Sequence, residues 1–316
     1  MIIKHYCHTQ ILWPRMDMIN YEYYKIFYYV GKYKSITKAA QMLYSSQPAV
    51  TRIIQKLENE LECKLFVRSQ AGMDFTQEGK TLFDYVSIAY NQLERGEDEI
   101  RRCAVGETGT IYIGASVTSL HVFLFDALDL FHSRYPNVRL KILTGSNNGT
   151  LEKLKNGLVH LAFVSTPFNA SGAFKISRIK KFHDILIAGK DFDDLRGKTL
   201  SVQDLIRYPF VCLRHGMQLR KFIDDRFAER NLIITPDAEA DGADLLVPMI
   251  QHNLGLGFVP EAMAEDAVGR GEVFRIPLTE ELPARYICML YNPCYPQSTA
   301  SEELIREIQK IPDEKE

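Results

Sequence analysis

The stretch "SSQPAVTRIIQKLENEL" (residues 45–61) decides how the first part of this chain is read. On a helical wheel at about 100° per residue, Val50, Ile53, Ile54, Leu57 and Leu61 fall within an arc of about 100°. Pro48, Thr51, Arg52, Gln55 and Lys56 fall opposite them. Pro48 does not break this helix, because a first-turn N–H has no intrahelical partner and proline's fixed φ suits a helix start, while Ser45 or Ser46 can cap the free donors. Just upstream, "SITKAAQMLYS" (35–45) predicts a second short helix, capped by Ser35 or Thr37, with Ala39 and Ala40 small enough for another helix to approach closely. Two helices joined by a tight polar connection, the second presenting Gln, Thr, Arg and Lys from its first turns, match a helix-turn-helix (about 36–55) whose second helix enters the DNA major groove. A helical hairpin with a solvated polar face fits the residue types equally well.

The whole chain bounds these readings. At 316 residues it exceeds the usual single domain, so two or three domains with cores of their own are expected. It is 46% hydrophobic and 25% charged, the composition of an ordinary soluble globular protein. The net charge of -2 supplies no global basic field, so nucleic-acid binding has to come from a local module. Residues 18–75 hold eight basic side chains (Lys25, Lys32, Lys34, Lys38, Arg52, Lys56, Lys64, Arg68) against five acidic ones (Glu22, Glu58, Glu60, Glu62, Asp74), a local excess of three. The six cysteines (Cys7, Cys63, Cys103, Cys212, Cys288, Cys294) form no CxxC pair, and no signal peptide precedes them, which points to free thiols in a reducing cytoplasm. No run approaches the roughly 18 to 20 apolar residues of a membrane span, so no membrane partner is expected. Residues 1–17 show no clear period and read as a non-native or disordered extension, with Met16 or Met18 as the expected start. The His5, Cys7 and His8 cluster lacks a fourth ligand at sensible spacing, so no metal is expected there.

Beyond the helical head (18–76), residues 77–105 form a proline-free amphipathic helix with Leu82, Tyr85, Ala89, Leu93, Gly96 and Ile100 at alternating steps of three and four. At about 28 residues it would be roughly 42 Å long. A small domain cannot cover it alone, so pairing with a second copy is expected. From Gly109 strands alternate with helices: "TIYIGAS" (110–116), the helix "SLHVFLFDALDLFHSRYP" (119–136), "NVRLKILTG" (137–145), a short helix at 148–157, and "LVHLAFVST" (158–166). Such alternation predicts a mostly parallel, doubly wound α/β sheet. A second series runs through "HDILIAG", "PFVCLRH", "MQLRKFIDDRFAERN", "DLLVPMIQHN", "LGLGFVP" and "RYICMLYN", before a last helix, "TASEELIREIQKI". The expected lobes are 109–180 with 293–316, and 181–292.

The run from Met18 to about Gly79 resembles the DNA-binding domain of the LysR-type transcriptional regulators, through Phe27, "SITKAAQMLYSSQPAVTRIIQKLENEL", "KLFVR" and "FTQEG" in the family's order and spacing. The resemblance continues, more loosely, through the long helix and the segments "PNVRLKI", "LVHLAFV" and "LGLGFVP". It implies a winged helix-turn-helix on a two-lobed effector domain like a periplasmic binding protein, assembled as dimers and tetramers on operator DNA, with RNA polymerase a further partner of such a regulator. Carried over, Gln47, Pro48, Thr51 and Arg52 would approach base edges and Ser35, Lys56 and Arg68 would hold phosphates, with Ser46 and Gln55 completing the face. Thr51 stands where the family has serine, and Glu62 where a glycine ends the recognition helix. The wing, "SQAGMDFTQ", carries Asp74 and no base after Arg68.

In an α/β fold, ligands collect at strand ends and helix N-termini. Ser116, Thr118 and Ser119 follow the first strand, Thr144 and Ser146 the second, Ser165 and Thr166 the third, and Arg214 and His215 follow "PFVCL". Hydroxyls, free amides and an arginine facing a gap suit a small anionic effector. The same residues also serve as ordinary helix caps and surface charges. Cys212 reads as a buried structural thiol, "GLGF" lacks the third glycine of a dinucleotide fingerprint, and His121, His132 and His252 read as surface or core histidines. No HExxH, P-loop or GxSxG is present, and no cofactor is expected. A solute-binding protein or an α/β enzyme could use the same two lobes. The first would need a signal peptide and has no use for the head, and the second would need a nucleophile, base or metal cluster in the gap.

Overall fold

The computed structural model describes residues 19–69, 72–103, 109–170, 174–280 and 282–311. The expected extension, with His5, Cys7 and His8, lies outside them. The chain forms two compact units that divide between Glu94 and Arg95.

The first unit is built on helices α1 (Tyr21–Tyr33), α2 (Ile36–Met42) and α3 (Gln47–Glu60), a hairpin of β1 (Phe66–Ser69) and β2 (Gly72–Phe75), and the start of α4 (Gln77–Cys103). Helix α3 starts as its sequence dictates. Ser46 Oγ accepts from the Ala49 N–H, and Pro48 occupies the first turn, where no donor is needed. Val50, Ile54 and Leu57 are buried against Ala39 and Ala40 of α2 and Phe27 and Val30 of α1, with Ile53 and Leu61 half-buried beside them. Helix α3 ends without a glycine: Cys63 N–H donates to Glu58 O (3.1 Å), Glu62 N–H to Asn59 O (3.3 Å), and Glu62 takes the left-handed conformation at φ 53°. The αL closure expected of glycine is thus made with a glutamate, at a steric cost of about 1 kcal/mol.

One carboxylate joins α3 to the hairpin. Glu58 is buried, its Oε1 accepts from the N–H groups of Leu65 (2.9 Å) and Phe66 (3.4 Å), and its Oε2 takes Lys64 Nζ at 2.6 Å. Entry to α4 is equally tight. Thr76 Oγ1 donates to Lys64 O and accepts from Gly79 N–H, and a Cβ on Gly79 would come within 1.9 Å of the Leu65 carbonyl oxygen. Only glycine fits at 79.

Helix α4 carries two apolar faces. Val86, Tyr90 and Asn91 pack on α1, where the rings of Tyr28 and Tyr90 stack at 4.3 Å and Tyr28 Oη donates to Asn91 Oδ1 at 3.2 Å. Leu82 joins this core as well, whereas Tyr85, Ala89, Leu93, Gly96 and Ile100 are exposed, Ile100 at 73%.

The second unit contains two α/β lobes. The first has a five-stranded sheet in the order β4-β3-β5-β12-β6, from β3 (Thr110–Ser116), β4 (Arg139–Gly145), β5 (Leu161–Ser165), β6 (Lys175–Phe182) and β12 (Arg285–Tyr291). Strands β4 and β5 run parallel to β3, and β12 is antiparallel to both β5 and β6. One face of the sheet packs on α6 (Phe125–Arg134) and α11 (Thr299–Lys310), the other on α7 (Asn147–Lys155). The helix expected at 119–136 is interrupted: α5 (Val117–Ser119) passes through a π-helical turn at Leu120–Leu124 into α6.

The second lobe holds an antiparallel sheet β10-β7-β11, made of β7 (Asp184–Gly189), β10 (Gly257–Pro260) and β11 (Val273–Ile276), and a parallel pair of β8 (Val211–Leu213) and β9 (Ala238–Ala240). Helices α8 (Gln218–Ala228), α9 (Leu246–Gln251) and α10 (Glu261–Gly269) enclose its core.

Two expectations are corrected here. The second lobe is not mostly parallel, because its central sheet pairs β7 antiparallel to both neighbours. Strand β12 was expected to close the second lobe, which was bounded at 292; it instead lies between β5 and β6 of the first. An apolar run such as "RYICMLYN" is equally fit for either sheet, and long-range pairing decides. The chain therefore crosses between lobes twice, at 182–184 and again before Arg285.

Replacing Glu58 with alanine leaves the Leu65 and Phe66 amides without their acceptor. Urea unfolding of Glu58→Ala should show a loss of about 2 kcal/mol in the first unit, against little change for Glu60→Ala on the exposed side of the same helix.

Candidate functional site

Each unit presents a distinct polar surface. In the first, Ser46, Gln47, Pro48, Arg52, Gln55 and Lys56 are exposed along α3, and Thr51 is half-buried among them. Gln47 Nε2 donates to Thr37 Oγ1 at 2.9 Å, which ties the first residue of α3 to the first turn of α2. Ser35 caps α2, accepting from the Lys38 N–H, so its hydroxyl stands at that helix's N-terminus. Arg52, Gln55 and Lys56 make no hydrogen bond or ion pair among the described residues and stay available to a ligand. Arg68 is in β1, its backbone paired with Met73, and its side chain lies outside the described part. In the wing, Asp74 binds Lys34 Nζ at 2.8 Å, so that acid neutralises a base of the connection between α1 and α2.

The second unit holds a cavity of about 620 Å³ between the lobes, a size that suits a small metabolite. Of the residues expected there, Ser116, Thr118, Thr144, Ser146, Ser165, Arg214 and His215 line it. Ser119 and Thr166 do not. Ser119 is fully buried, its N–H and hydroxyl both engaged by Ser116 Oγ (3.2 and 2.6 Å). Thr166 ties the end of β5 to β12: its Oγ1 accepts from the Tyr286 N–H, its own N–H donates to Tyr286 O, and its carbonyl accepts from Arg285 Nε. Both hydroxyls are consumed by the fold.

Four helix N-termini meet at this cavity, two from each lobe. Val117 and Thr118 open α5, Asn147 and Asn148 open α7, Gln218 and Leu219 open α8, and Ala243 and Asp244 open the 3₁₀ turn that leads into α9. Ser116 and Ser146 cap the two helices of the first lobe through side-chain bonds, to Ser119 N–H and Gly149 N–H, while α8 and the Ala243 turn have no side-chain cap. First-turn amides left without acceptors carry partial positive charge toward the gap. The arginines of the lining are each paired with an acid, which leaves Asp244 as the one unbalanced charge among the described lining residues. Arg214, expected as the anion-binding cation, is exposed and paired with Asp241 at 2.8 Å, and Asp244 faces the same space.

The residue at the base of the cleft that periodicity did not single out is Arg285. Its side chain is 3% exposed and that of its partner Asp184 is 0% exposed. Nη1 donates to both Asp184 carboxylate oxygens (3.0 and 2.9 Å), Nε to Thr166 O (2.6 Å), and Nη2 to Ser165 Oγ (3.0 Å). The guanidinium also faces the rings of Phe182, from the first lobe, and Phe222, from the second, with centroids at 4.8 and 5.7 Å. Asp184 opens β7 and Arg285 opens β12, so one ion pair clamps both crossings between the lobes. The network continues into the cleft wall, where Asn147 Nδ2 donates to Ser165 O at 2.6 Å. A signal for the pair existed in the sequence: each is a lone charge opening a strongly apolar strand, "DILIAG" and "RYICMLY". Asn147, Gln218, Asp241 and Asp244 were likewise not foreseen, lying in "SNNGT", "GMQ" and "ADGAD", where turn residues are unremarkable.

Cys212 is buried on β8 and its thiol is pushed up to about 12, with burial the largest cause; burial likewise pushes Cys288 up to about 11. Both are structural thiols with little thiolate at neutral pH. Among the described residues, no group of His, Cys, Asp and Glu could hold a metal ion, and no helix is long and apolar enough to cross a membrane.

The two units correspond to two family profiles. The profile of the "Bacterial regulatory helix-turn-helix protein, lysR family" matches residues 22–80, and that of the "LysR substrate binding domain" matches residues 104–311. The HTH-type transcriptional regulator YofA of Bacillus velezensis is 26% identical over 289 residues, 92% of this chain and 97% of its own. The HTH-type transcriptional regulator cbl of Escherichia coli is 26% identical over 232 residues, 72% of each chain. Among solved structures, CbnR, a LysR family transcriptional regulator, superposes with a TM-score of 0.69 at 19% identity, covering 92% of this chain and 98% of CbnR. Full-length CbnR complexed with its target DNA also gives 0.69, at 18% identity, covering 92% and 99%.

Arg285→Met should leave Asp184 buried without its partner and cost about 3 to 5 kcal/mol of stability in the second unit. Arg214→Ala breaks an exposed pair and should cost under about 1 kcal/mol. Comparing the denaturant midpoints of the two variants checks the contrast.

Proposed function

The chain belongs to the LysR family of DNA-binding transcriptional regulators, and from that premise we propose how its two units divide the work: α3 reads operator DNA, and a small anionic effector bound between the lobes sets the quaternary arrangement in which it does so. The observation that carries the effector half is the convergence of four helix N-termini, two per lobe, on one cavity whose arginines are already paired with acids. An anion bridging these ends gains attraction from both lobes at once and favours their closure. Specificity for shape would come from Ser116, Thr118, Thr144, Ser146, Asn147 and Ser165 on one wall and Arg214, His215 and Gln218 on the other.

The DNA half rests on the unpaired Arg52, Gln55 and Lys56, with Gln47, Pro48 and Thr51 toward base edges. Arg can bond bidentately to guanine and Gln to adenine, while Lys56, Ser35 and Arg68 hold phosphates and fix register. The exposed stripe Tyr85, Ala89, Leu93, Gly96 and Ile100 of α4 suits a second copy of the same helix, which makes the working unit a dimer, paired further into tetramers. Effector energy then biases one arrangement of half-sites over another without changing any base contact. In this reading the cleft is a receptor and not a catalytic centre, and the protein acts in the cytoplasm, where its DNA is. A solute-binding protein with these lobes would leave α3 and the wing without a role.

Mapping the DNA bound by the protein across the genome tests this directly, and the genes beside the bound sites indicate the chemistry of the effector. On the strongest such site, Arg52→Ala should weaken binding by about 1 to 3 kcal/mol in a gel shift at fixed salt; unchanged affinity removes Arg52 from the readout. Leu93→Glu should reduce the mass measured by light scattering toward a single chain with the circular dichroism intact. A mass equal to the parent's would reject the α4 interface.

A further inference from the structure

The turn between α2 and α3 carries a side chain that no packing among the described residues explains. Helix α2 ends in the same closure as α3: Ser45 N–H donates to Ala40 O at 2.9 Å and Tyr44 N–H to Gln41 O at 3.2 Å, and residue 44 is left-handed, at φ 49°. Glycine fills such a place at no steric cost and asparagine at little, as Asn231 and Asn253 do in the other unit. An aromatic residue there is strained by about 1 kcal/mol. Nothing among the described residues offsets that strain, since Tyr44 is 99% exposed, whereas Tyr23, Tyr24, Tyr28, Tyr29 and Tyr90 all pack into the core of this unit. Of the other left-handed residues here, Lys34 reaches Asp74 and Glu62 closes α3.

Position gives the exposed phenol its role. Tyr44 begins a run of five consecutive exposed residues, 44–48, that leads through the Ser46 cap into the first turn of α3. Residue 44 therefore lies in the turn just ahead of the helix that carries Gln47, Thr51, Arg52, Gln55 and Lys56. A helix that enters a groove by its first turns brings the residues just before it to the sugar-phosphate wall of that groove. Tyrosine is among the side chains that bond phosphate there, and it has only two torsions to order.

We propose that Tyr44 is a DNA-backbone contact: its hydroxyl donates to a phosphate oxygen beside the groove that α3 enters, and its ring covers the adjoining sugar. The proposal rests on α3 being that helix. Because the phenol is neutral, it adds affinity without displacing a counterion, which separates it from the lysines of the same face.

The test uses the full chain and a labelled random-sequence duplex of about 30 base pairs, long enough for two half-sites, titrated by fluorescence anisotropy at several NaCl concentrations. Tyr44→Phe should weaken binding about three- to tenfold through loss of the hydroxyl bond, and Tyr44→Gly at least as much. In both, the slope of log affinity against log salt should equal the parent's. Lys56→Ala should lower that slope by about one. The thermal midpoint of Tyr44→Gly should be unchanged or raised, since its left-handed strain is gone, so weaker binding cannot come from misfolding. Parent-like affinity of Tyr44→Phe overturns the hydroxyl contact, and parent-like affinity of both Tyr44 variants overturns the proposal. If Lys56→Ala also binds like the parent, the assignment of α3 to the groove falls with it; if Lys56→Ala alone is weakened, that assignment stands and only Tyr44 is removed from the interface.

Discussion

The second unit depends on the ion pair between Arg285 and Asp184. Two charges are held almost free of water, and the cost of removing them from it is met only because every guanidinium nitrogen has a fixed acceptor: the carboxylate, a backbone carbonyl and a serine hydroxyl. Their places in the chain make the pair more than a local contact. Each opens the strand by which the chain crosses from one lobe to the other, so one bond ties the two crossings together. Ser165, bonded to Arg285, lines the cleft, and Asn147, bonded to Ser165, stands in the first turn of α7. The cleft wall and the crossing are one hydrogen-bonded structure.

A similar logic builds the first unit. Glu58 brings a carboxylate to two buried amides, Thr76 caps the start of α4 while holding Lys64, and Gly79 allows α4 to rest on the Leu65 carbonyl. These contacts lock the hairpin and the long helix to the core side of α3. The opposite side, with Arg52, Gln55 and Lys56, is left without partners among the described residues. A helix committed on one face by packing and by its C-terminal carboxylate is rigid, and rigidity keeps the ordering cost of its polar face small when it meets DNA. Helix α4 adds a second division of labour, with one apolar face spent on the head and another left open at Tyr85, Leu93 and Ile100.

Much of this was legible in order along the chain. The start of α3 followed from Pro48 and a serine cap at 45 or 46, its buried face from a period of 3.6, and the alternation of strands and helices after Gly109 from runs such as "TIYIGAS" and "LVHLAFVST". Seven of the nine cleft residues expected from strand ends line the cavity, because the end of a strand in an α/β lobe faces the ligand side by construction. Ser119 and Thr166 do not line it, for a reason invisible to spacing: each lies one position beyond a lining residue, where its hydroxyl is bonded within the fold. Strand β6, "KISRIKKF", was missed because edge position lets charged residues occupy a strand that a hydrophobic pattern would not mark.

The sequence by itself determined much of the local structure: most of the helices and strands, where α3 begins, and its apolar face, because these follow from φ preferences, side-chain hydrogen bonds to nearby amides and the 3.6-residue period. The tertiary structure alone decided that β12 joins the first lobe, that β7 is flanked by antiparallel neighbours, and that Arg285 meets Asp184 a hundred residues away. Apolar runs of equal hydrophobicity fit either sheet, and a charge finds its partner through space. These choices arise from pairings over long separations, whose energies no local window of sequence contains.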